Sequence, residues 1–304
     1  MTNAAHQPLS IAIVGLGSIG GAAAACLAAA GRHRVIACVR QPLTQLTLER
    51  GTETTQVPLH SIVDPAEATP ADWVFVCTKT PATPSTAPWL ARLCTPATKV
   101  AVLQNGIDHV ARVAPMAQGA TVLPVIVYYN AERLGADHMR IRQVGDDDYV
   151  VADDAAGLAF AALFEGTPLR VRLSEDFLTL LWRKLLMNAT ANPISALTLQ
   201  RQIVFRRRDV QALCLDVLAE SVAVGRAAGA HLAPDEAQRI MSQLLGYSPE
   251  LGTSMYFDRM AGRPLEIEAL NGAIVAAGER HGIATPLNRV LLTLLKAVSD
   301  AGKT

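Results

Sequence analysis

Lys184, Asn188 and Asn192 stand four residues apart in the run Leu181-Trp-Arg-Lys-Leu-Leu-Met-Asn-Ala-Thr-Ala-Asn-Pro193. Four residues of α-helix turn about 400°, so these side chains drift about 40° per step and share one face over roughly 12 Å. An ammonium and two amides amid apolar neighbours suit the grip of a small polar molecule. A solvated helix face would show the same spacing, since lysine is mostly exposed. Downstream, Glu266 and Glu268 flank Ile267 just after Pro264. Acids are favoured at a helix start by the dipole alone, which accounts for Glu268. Glu266 takes on a further meaning if it faces Lys184. Burial lowers a lysine pKa and a nearby carboxylate raises it. Their balance sets how readily such a lysine gives up its proton.

The start of the same chain carries a dinucleotide fingerprint. The β-rich run 11–14 ends at Gly15-Leu16-Gly17-Ser18-Ile19-Gly20, an Ala-rich helical stretch follows to about Ala30, and residues 34–39 read as the next strand. This is GxGxxG at the first turn of a βαβ unit, the context that makes the motif informative. One glycine permits the tight turn, one lets backbone approach a pyrophosphate, and one lets helix and strand pack closely. Free N–H groups at the helix start favour the phosphates. Arg40 follows the second strand, and no Asp or Glu occurs between Arg32 and Glu49. A guanidinium there suits the 2′-phosphate of NADP, where an acid would bind the ribose of NAD. A solvated arginine is the alternative.

Further strands are expected at residues 72–77, ending at Lys79, and at 99–103, ending at Asn105-Gly106. Ligands of open parallel sheets sit beyond the carboxyl ends of strands. Lys79 is placed to meet phosphate or ribose, and Asn105 to reach the nicotinamide end. A loop lysine and an Asn-Gly turn are the plainer readings. Residues 120–127, 139–144 and 149–152 are expected to extend the sheet antiparallel.

After Val171 the pattern changes to long apolar-periodic stretches at about 175–198, 209–229, 234–246, 264–281 and 286–300. Ser174 is expected as an N-cap with two acids in the first turn. Asn192 precedes a proline, so the helix is expected to kink or end there. The fold class is therefore α/β: an N-terminal Rossmann dinucleotide-binding domain over 1–172 and an all-α domain over 173–304. Asp258 is expected to cap or pair with Arg263, and His281-Gly282 to end a helix. The run Arg206-Arg207-Arg208 is expected on a solvated face.

Bulk properties narrow the partners. The chain has 304 residues, half of them apolar, with 27 basic and 27 acidic side chains. That length suggests two domains, and zero net charge gives no bulk electrostatic case for nucleic acid or an anionic membrane. Residues 11–30 are uncharged, but the positive n-region of a signal peptide is missing before them. Five cysteines without a CxxC pair suggest free thiols in a reducing cytoplasm. No metal-like cluster is visible. The expectation is a soluble cytoplasmic protein.

The assembled motifs resemble the ketopantoate reductase (2-dehydropantoate 2-reductase) family nearly end to end, from Gly15 to about Asn288. The resemblance rests on Gly15-x-Gly17-x-x-Gly20, Lys79, Leu103-Gln-Asn105-Gly106 and Lys184-x-x-x-Asn188-x-x-x-Asn192-Pro193. It continues through Ser254-Met255-x-x-Asp258, Gly262-Arg263-Pro264-x-Glu266-Ile267, Asn271-Gly272 and His281-Gly-Ile283-x-x-Pro286. Leu265 departs from a frequent Thr, and Tyr128-Tyr129-Asn130 has no clear match. The resemblance implies a 6-phosphogluconate dehydrogenase-like helical C-terminal domain, NADPH in the cleft beside it, and reduction of a 2-keto acid to a 2-hydroxy acid. For ketopantoate itself the resemblance implies the product pantoate, as in pantothenate and coenzyme A biosynthesis. Lys184 would be the general acid, and Glu266 would touch substrate and hold the lysine. Asn188, Asn192 and Ser254 would bind substrate, and Asn105 would serve both substrate and nicotinamide. Gly15 to Gly20, Arg40 and Lys79 would bind the cofactor. The expected partner is a small 2-keto acid, and a homodimer is compatible with the chain. Two alternatives stand beside ketopantoate: a reductase of another 2-keto acid or related carbonyl, and an NADP-binding regulator without catalysis.

Overall fold

The computed structural model describes residues 7–142 and 145–301. The strands are β1 (Ser10–Val14), β2 (Arg34–Cys38), β3 (Gln45–Arg50), β4 (Glu53–Pro58), β5 (His60–Ile62), β6 (Trp73–Val76), β7 (Lys99–Val102), β8 (Thr121–Pro124), β9 (Ile126–Val127), β10 (Asn130–Arg133), β11 (His138–Arg142), β12 (Tyr149–Ala152) and β13 (Val171–Ser174). The helices are α1 (Ser18–Ala30), α2 (Ala87–Leu93), α3 (His109–Val113), α4 (Ala155–Leu163), α5 (Phe177–Thr198), α6 (Arg208–Ala227), α7 (Glu236–Gly246), α8 (Ser254–Met260), α9 (Ala273–His281) and α10 (Pro286–Ala301). They fall into two compact units. One holds the residues up to Gln104 and His109–Phe177, and the other holds Asn105–Asp108 and the residues from Leu178 on.

The first unit is built on a six-stranded parallel sheet in the order β5-β2-β1-β6-β7-β8. Past their first residues Ser10 and Lys99, the central strands β1, β6 and β7 are apolar because both faces are covered. Alternate residues go to opposite sides. Ile11, Ile13, Trp73, Phe75 and Ala101 pack into one cluster, while Ala12, Val14, Val74, Val76, Val100 and Val102 pack into another. Helix α1 is alanine-rich and lies in the first cluster with Ala22 to Leu27 buried. It ends where Gly31 takes a left-handed conformation, its N–H donating to Ala28 O. This is the doubly covered parallel sheet expected of a Rossmann unit.

The later strands differ from the antiparallel extension expected of them. β8 joins the main sheet parallel to β7. β10, β11, β3 and β4 form a separate sheet, in which β11 runs parallel to β3. β12 pairs parallel with β13 and antiparallel with β9. The long excursion 153–170, which contains α4, permits a parallel crossover that the short upstream connections do not suggest. Residues 143 and 144 of the expected strand lie outside the described residues. Ser174 is the last residue of β13, paired with Ala152, and not a helix cap. The chain consequently passes to the second unit at 177/178 rather than near 172.

The second unit is helical. α5 is its central rod, burying Trp182, Leu185, Leu186 and Ala189 against α6 and the segments that precede α9 and α10. Contrary to the expected break, α5 runs uninterrupted through Pro193 to Thr198. Residues 263–266 form no regular element, and Ile267 already has right-handed helical dihedrals. A single π-helical turn, Glu268–Gly272, then leads into α9. Asp258 accepts a hydrogen bond from Arg263 Nε at 2.9 Å, and α9 closes at His281 with Gly282 in the left-handed region. Arg207 pairs with Asp209 in solvent. All five cysteines are free and buried, four in the first unit and Cys214 in the second. No helix among the described residues is long and apolar enough to cross a membrane.

Candidate active site

In the first unit the glycine loop is shaped by what its glycines leave out. Gly15 ends β1 with φ +96, and a Cβ there would lie 2.7 Å from the Thr78 backbone nitrogen. Gly20 lies so close to the loop that a Cβ would meet Gly15 O at 2.2 Å and Cys77 Cβ at 2.9 Å. Gly17, the N-cap of α1, is different: a Cβ there would meet nothing within 4 Å. The fold itself demands Gly15 and Gly20. Gly17 leaves open space beside the first N–H groups of α1. Leu16 is buried in the core beneath the loop, and Ser18 and Ile19 form the first turn of α1. The Ile19 carbonyl accepts a hydrogen bond from Tyr129 Oη at 3.3 Å, and Tyr129 is bonded in turn to Tyr149 Oη at 2.8 Å.

Arg40 is exposed two residues beyond β2, and Lys79 is exposed at the end of β6, where it precedes the 3-10 turn Thr80–Thr86. Gln104, which sequence reasoning passed over as a site residue, ties the ends of β6 and β7 together. Its Nε2 donates to Thr78 O at 2.8 Å and to Thr83 Oγ1 at 2.9 Å.

The second unit gathers the polar side chains. Lys184 and Asn188 are half-buried on α5, and Asn192 is buried one turn further on. Asn188 Nδ2 donates to Asn105 Oδ1 at 3.3 Å, and Asn105 Nδ2 donates to Glu266 Oε2 at 3.0 Å. Two amides thus run in series to a carboxylate that is itself 5% exposed. The Asn105-Gly106 turn is held against the π-turn. Gly106 has φ +106, and a Cβ there would lie 2.9 Å from Ala269 O. Desolvation pushes the Lys184 ammonium down to about 8, against the pull of the Glu266 carboxylate in the opposite direction. A lysine near that value is largely charged at neutral pH yet gives up its proton readily.

Ser254 is exposed as the first residue of α8, one position after the buried N-cap Thr253. Thr253 Oγ1 receives Tyr256 N–H at 3.2 Å and lies 2.6 Å from Ser195 Oγ, while Arg259 donates to the carbonyls of Ala196 and Leu197. Both ends of α8 are therefore pinned to the last turns of α5, in the residues that follow Asn192. Thr253, Ser195 and Arg259 escaped sequence reasoning. A Thr before a short amphipathic run was the cap signal available.

A glycine-bearing βαβ sheet, joined in one chain to a helical unit that holds a lysine, a carboxylate and amides together, is the equipment of a nicotinamide-dependent oxidoreductase. Comparison with known proteins narrows the class. The family description "Ketopantoate reductase PanE/ApbA" matches residues 11–154, and "Ketopantoate reductase PanE/ApbA C terminal" matches residues 176–299. A 2-dehydropantoate 2-reductase of Caulobacter vibrioides is 38% identical over 290 residues, covering 95% of this chain and 99% of the relative. One from Mycobacterium tuberculosis is 39% identical over 292 residues, covering 95% and 98%. A crystal structure of a PanE/ApbA family ketopantoate reductase from Ralstonia eutropha JMP134 superposes with a TM-score of 0.87 at 31% identity, covering 97% of this chain and all of that one. The chain belongs to the ketopantoate reductase family, and its Rossmann unit implies a nicotinamide dinucleotide as cofactor.

Proposed function

We propose that the protein reduces the ketone of 2-dehydropantoate to the hydroxyl of pantoate with NADPH. The observation that carries this reading is the cluster of Lys184, Glu266, Asn105 and Asn188, in a chain of the family whose named members are 2-dehydropantoate 2-reductases. NADPH, when bound, would supply a hydride to the carbonyl carbon. The charge that develops on the ketone oxygen is stabilised by the Lys184 ammonium, which transfers its proton from Nζ to that oxygen and is left neutral until water restores it. Glu266 keeps Lys184 charged between turnovers, and Asn105 holds the carboxylate in place. Asn188, Asn192 and Ser254 orient the substrate carboxylate and hydroxyl, which makes the encounter effectively intramolecular. Gly15 to Gly20 receive the pyrophosphate at the start of α1. Arg40 and Lys79 read the 2′-phosphate end. Five buried free thiols suit a reducing cytoplasm.

The two departures from the family pattern do not favour another keto acid. Leu265 is buried in the helical core, and Tyr129 is bonded to Tyr149 and Ile19. The test is NADPH oxidation against a panel of 2-keto acids. Ketopantoate is expected to give the highest kcat/KM. A different acid at the head of that ranking would transfer the reading to that substrate, and turnover of none of them would leave a cofactor-binding protein without this reaction.

A further inference from the structure

Pro193 sits inside α5, has no N–H, and so leaves the carbonyl of Ala189 without its normal partner four residues on. An unpaired buried carbonyl is costly, because it has given up water without gaining another donor. The gap is filled from another element. Asn271 Nδ2 donates to Ala189 O at 2.9 Å and to Asn288 Oδ1 at 3.0 Å. Both partners are acceptors, so the amide has one orientation. Asn271 is fully buried. Asn288 continues the chain by donating to Glu220 Oε2 at 2.8 Å, and Glu220 also accepts the Leu287 and Asn288 N–H groups at the start of α10.

Asn271 reaches α5 from the π-turn, where Gly272 N–H bonds Ile267 O across five residues. Single π-turns recur at functional sites. This one has Glu266 just before it, Ala269 against Gly106, and Asn271 on the backbone of α5 at Ala189, the residue next to Asn188 and less than one turn before Asn192. We infer that Asn271 is a positioning residue: it bridges the helix across Pro193 and thereby fixes the Asn188–Asn192 face of α5 relative to Glu266 and Asn105. The inference rests on the proposed role of those amides in gripping substrate.

The test is a double-mutant cycle of Asn271→Ala and Pro193→Ala, since alanine at 193 restores the missing N–H donor. In the wild-type background, Asn271→Ala should lower Tm by about 4–8 °C. It should raise the keto-acid KM about tenfold, with kcat and the NADPH KM changing less. In the Pro193→Ala background the KM penalty should fall to about twofold and the Tm loss should at least halve. Equal losses in the two backgrounds would overturn the bridge. Rescue of Tm without rescue of KM would overturn the positioning role. If Asn271→Ala is insoluble alone, solubility of the double variant supports the bridge and its insolubility overturns it. A protein inactive on every keto acid would sink the proposed reaction, while the Tm cycle would still decide the bridge.

Discussion

Around Gly15 to Gly20 the molecule offers bare backbone, whereas around Lys184 it offers side chains. In the glycine loop two positions are glycine because neighbouring atoms leave no room, and one is glycine with open space beside it. In the helical unit, by contrast, function depends on a lysine lowered by desolvation and on two amides in series with a buried glutamate. The first site depends on bare backbone, so an added side chain can harm it even where the chain's path is kept. The second tolerates changes that keep a donor or a charge. Mutations should therefore separate the two cleanly.

The largest effect is expected at Lys184. Lys184→Ala should reduce kcat by about 10²–10⁴-fold while NADPH binding, followed by fluorescence, is retained. Wild-type turnover in that variant would remove Lys184 from the mechanism. At the glycine loop the expectation is reversed: Gly17→Ala should leave Tm unchanged and weaken NADPH by about tenfold or more, equivalent to about 1.4 kcal/mol. A drop in Tm without loss of cofactor affinity would make Gly17 a folding residue. Arg40→Ala should weaken NADPH more than NADH in paired titrations, and equal losses would break its link to the 2′-phosphate.

The smallest and most diagnostic effect concerns pH. Protonated Lys184 is the active form, so kcat/KM should fall as pH rises through about 8. Glu266 is the group that raises the lysine, so Glu266→Gln should move that fall to lower pH. An upward shift would contradict the electrostatic role. The same depression has a sign for stability. Unfolded lysine binds its proton up to about 10.4, so the cost of burying the ammonium is fully present below about pH 8 and is relieved as pH rises towards 10. Lys184→Met should accordingly raise Tm at pH 7 and have less effect at pH 10.

Much of this was legible in the chain. The apolar run into GxGxxG announces its βαβ unit because strand period, turn glycines and helix onset agree within twenty residues. The Lys184, Asn188, Asn192 ladder is legible because helical spacing is local. What was not legible depends on partners distant in sequence. Pro193 reads as a break, but α5 continues, and the Ala189 carbonyl that the proline leaves without its helical donor is met by Asn271 from the π-turn. Ser174 reads as a cap, but Ala152 recruits it into a strand. The series Asn188 to Asn105 to Glu266 spans 83 and then 161 positions, beyond any periodic signal.

The buried cysteines have a practical consequence. Burial holds Cys26, Cys38 and Cys214 up at about 12 and Cys94 at about 11, and raises Cys77 further. Native protein at pH 8 should therefore ignore alkylating reagents, since the thiolate is the reactive form. Any labelling that does occur reports opening of the chain. Four thiols lie in the sheet unit and one in the helical unit. The rate at which Cys214 is modified, set against the other four, gives the natural sequence a built-in clock for unfolding of each half separately.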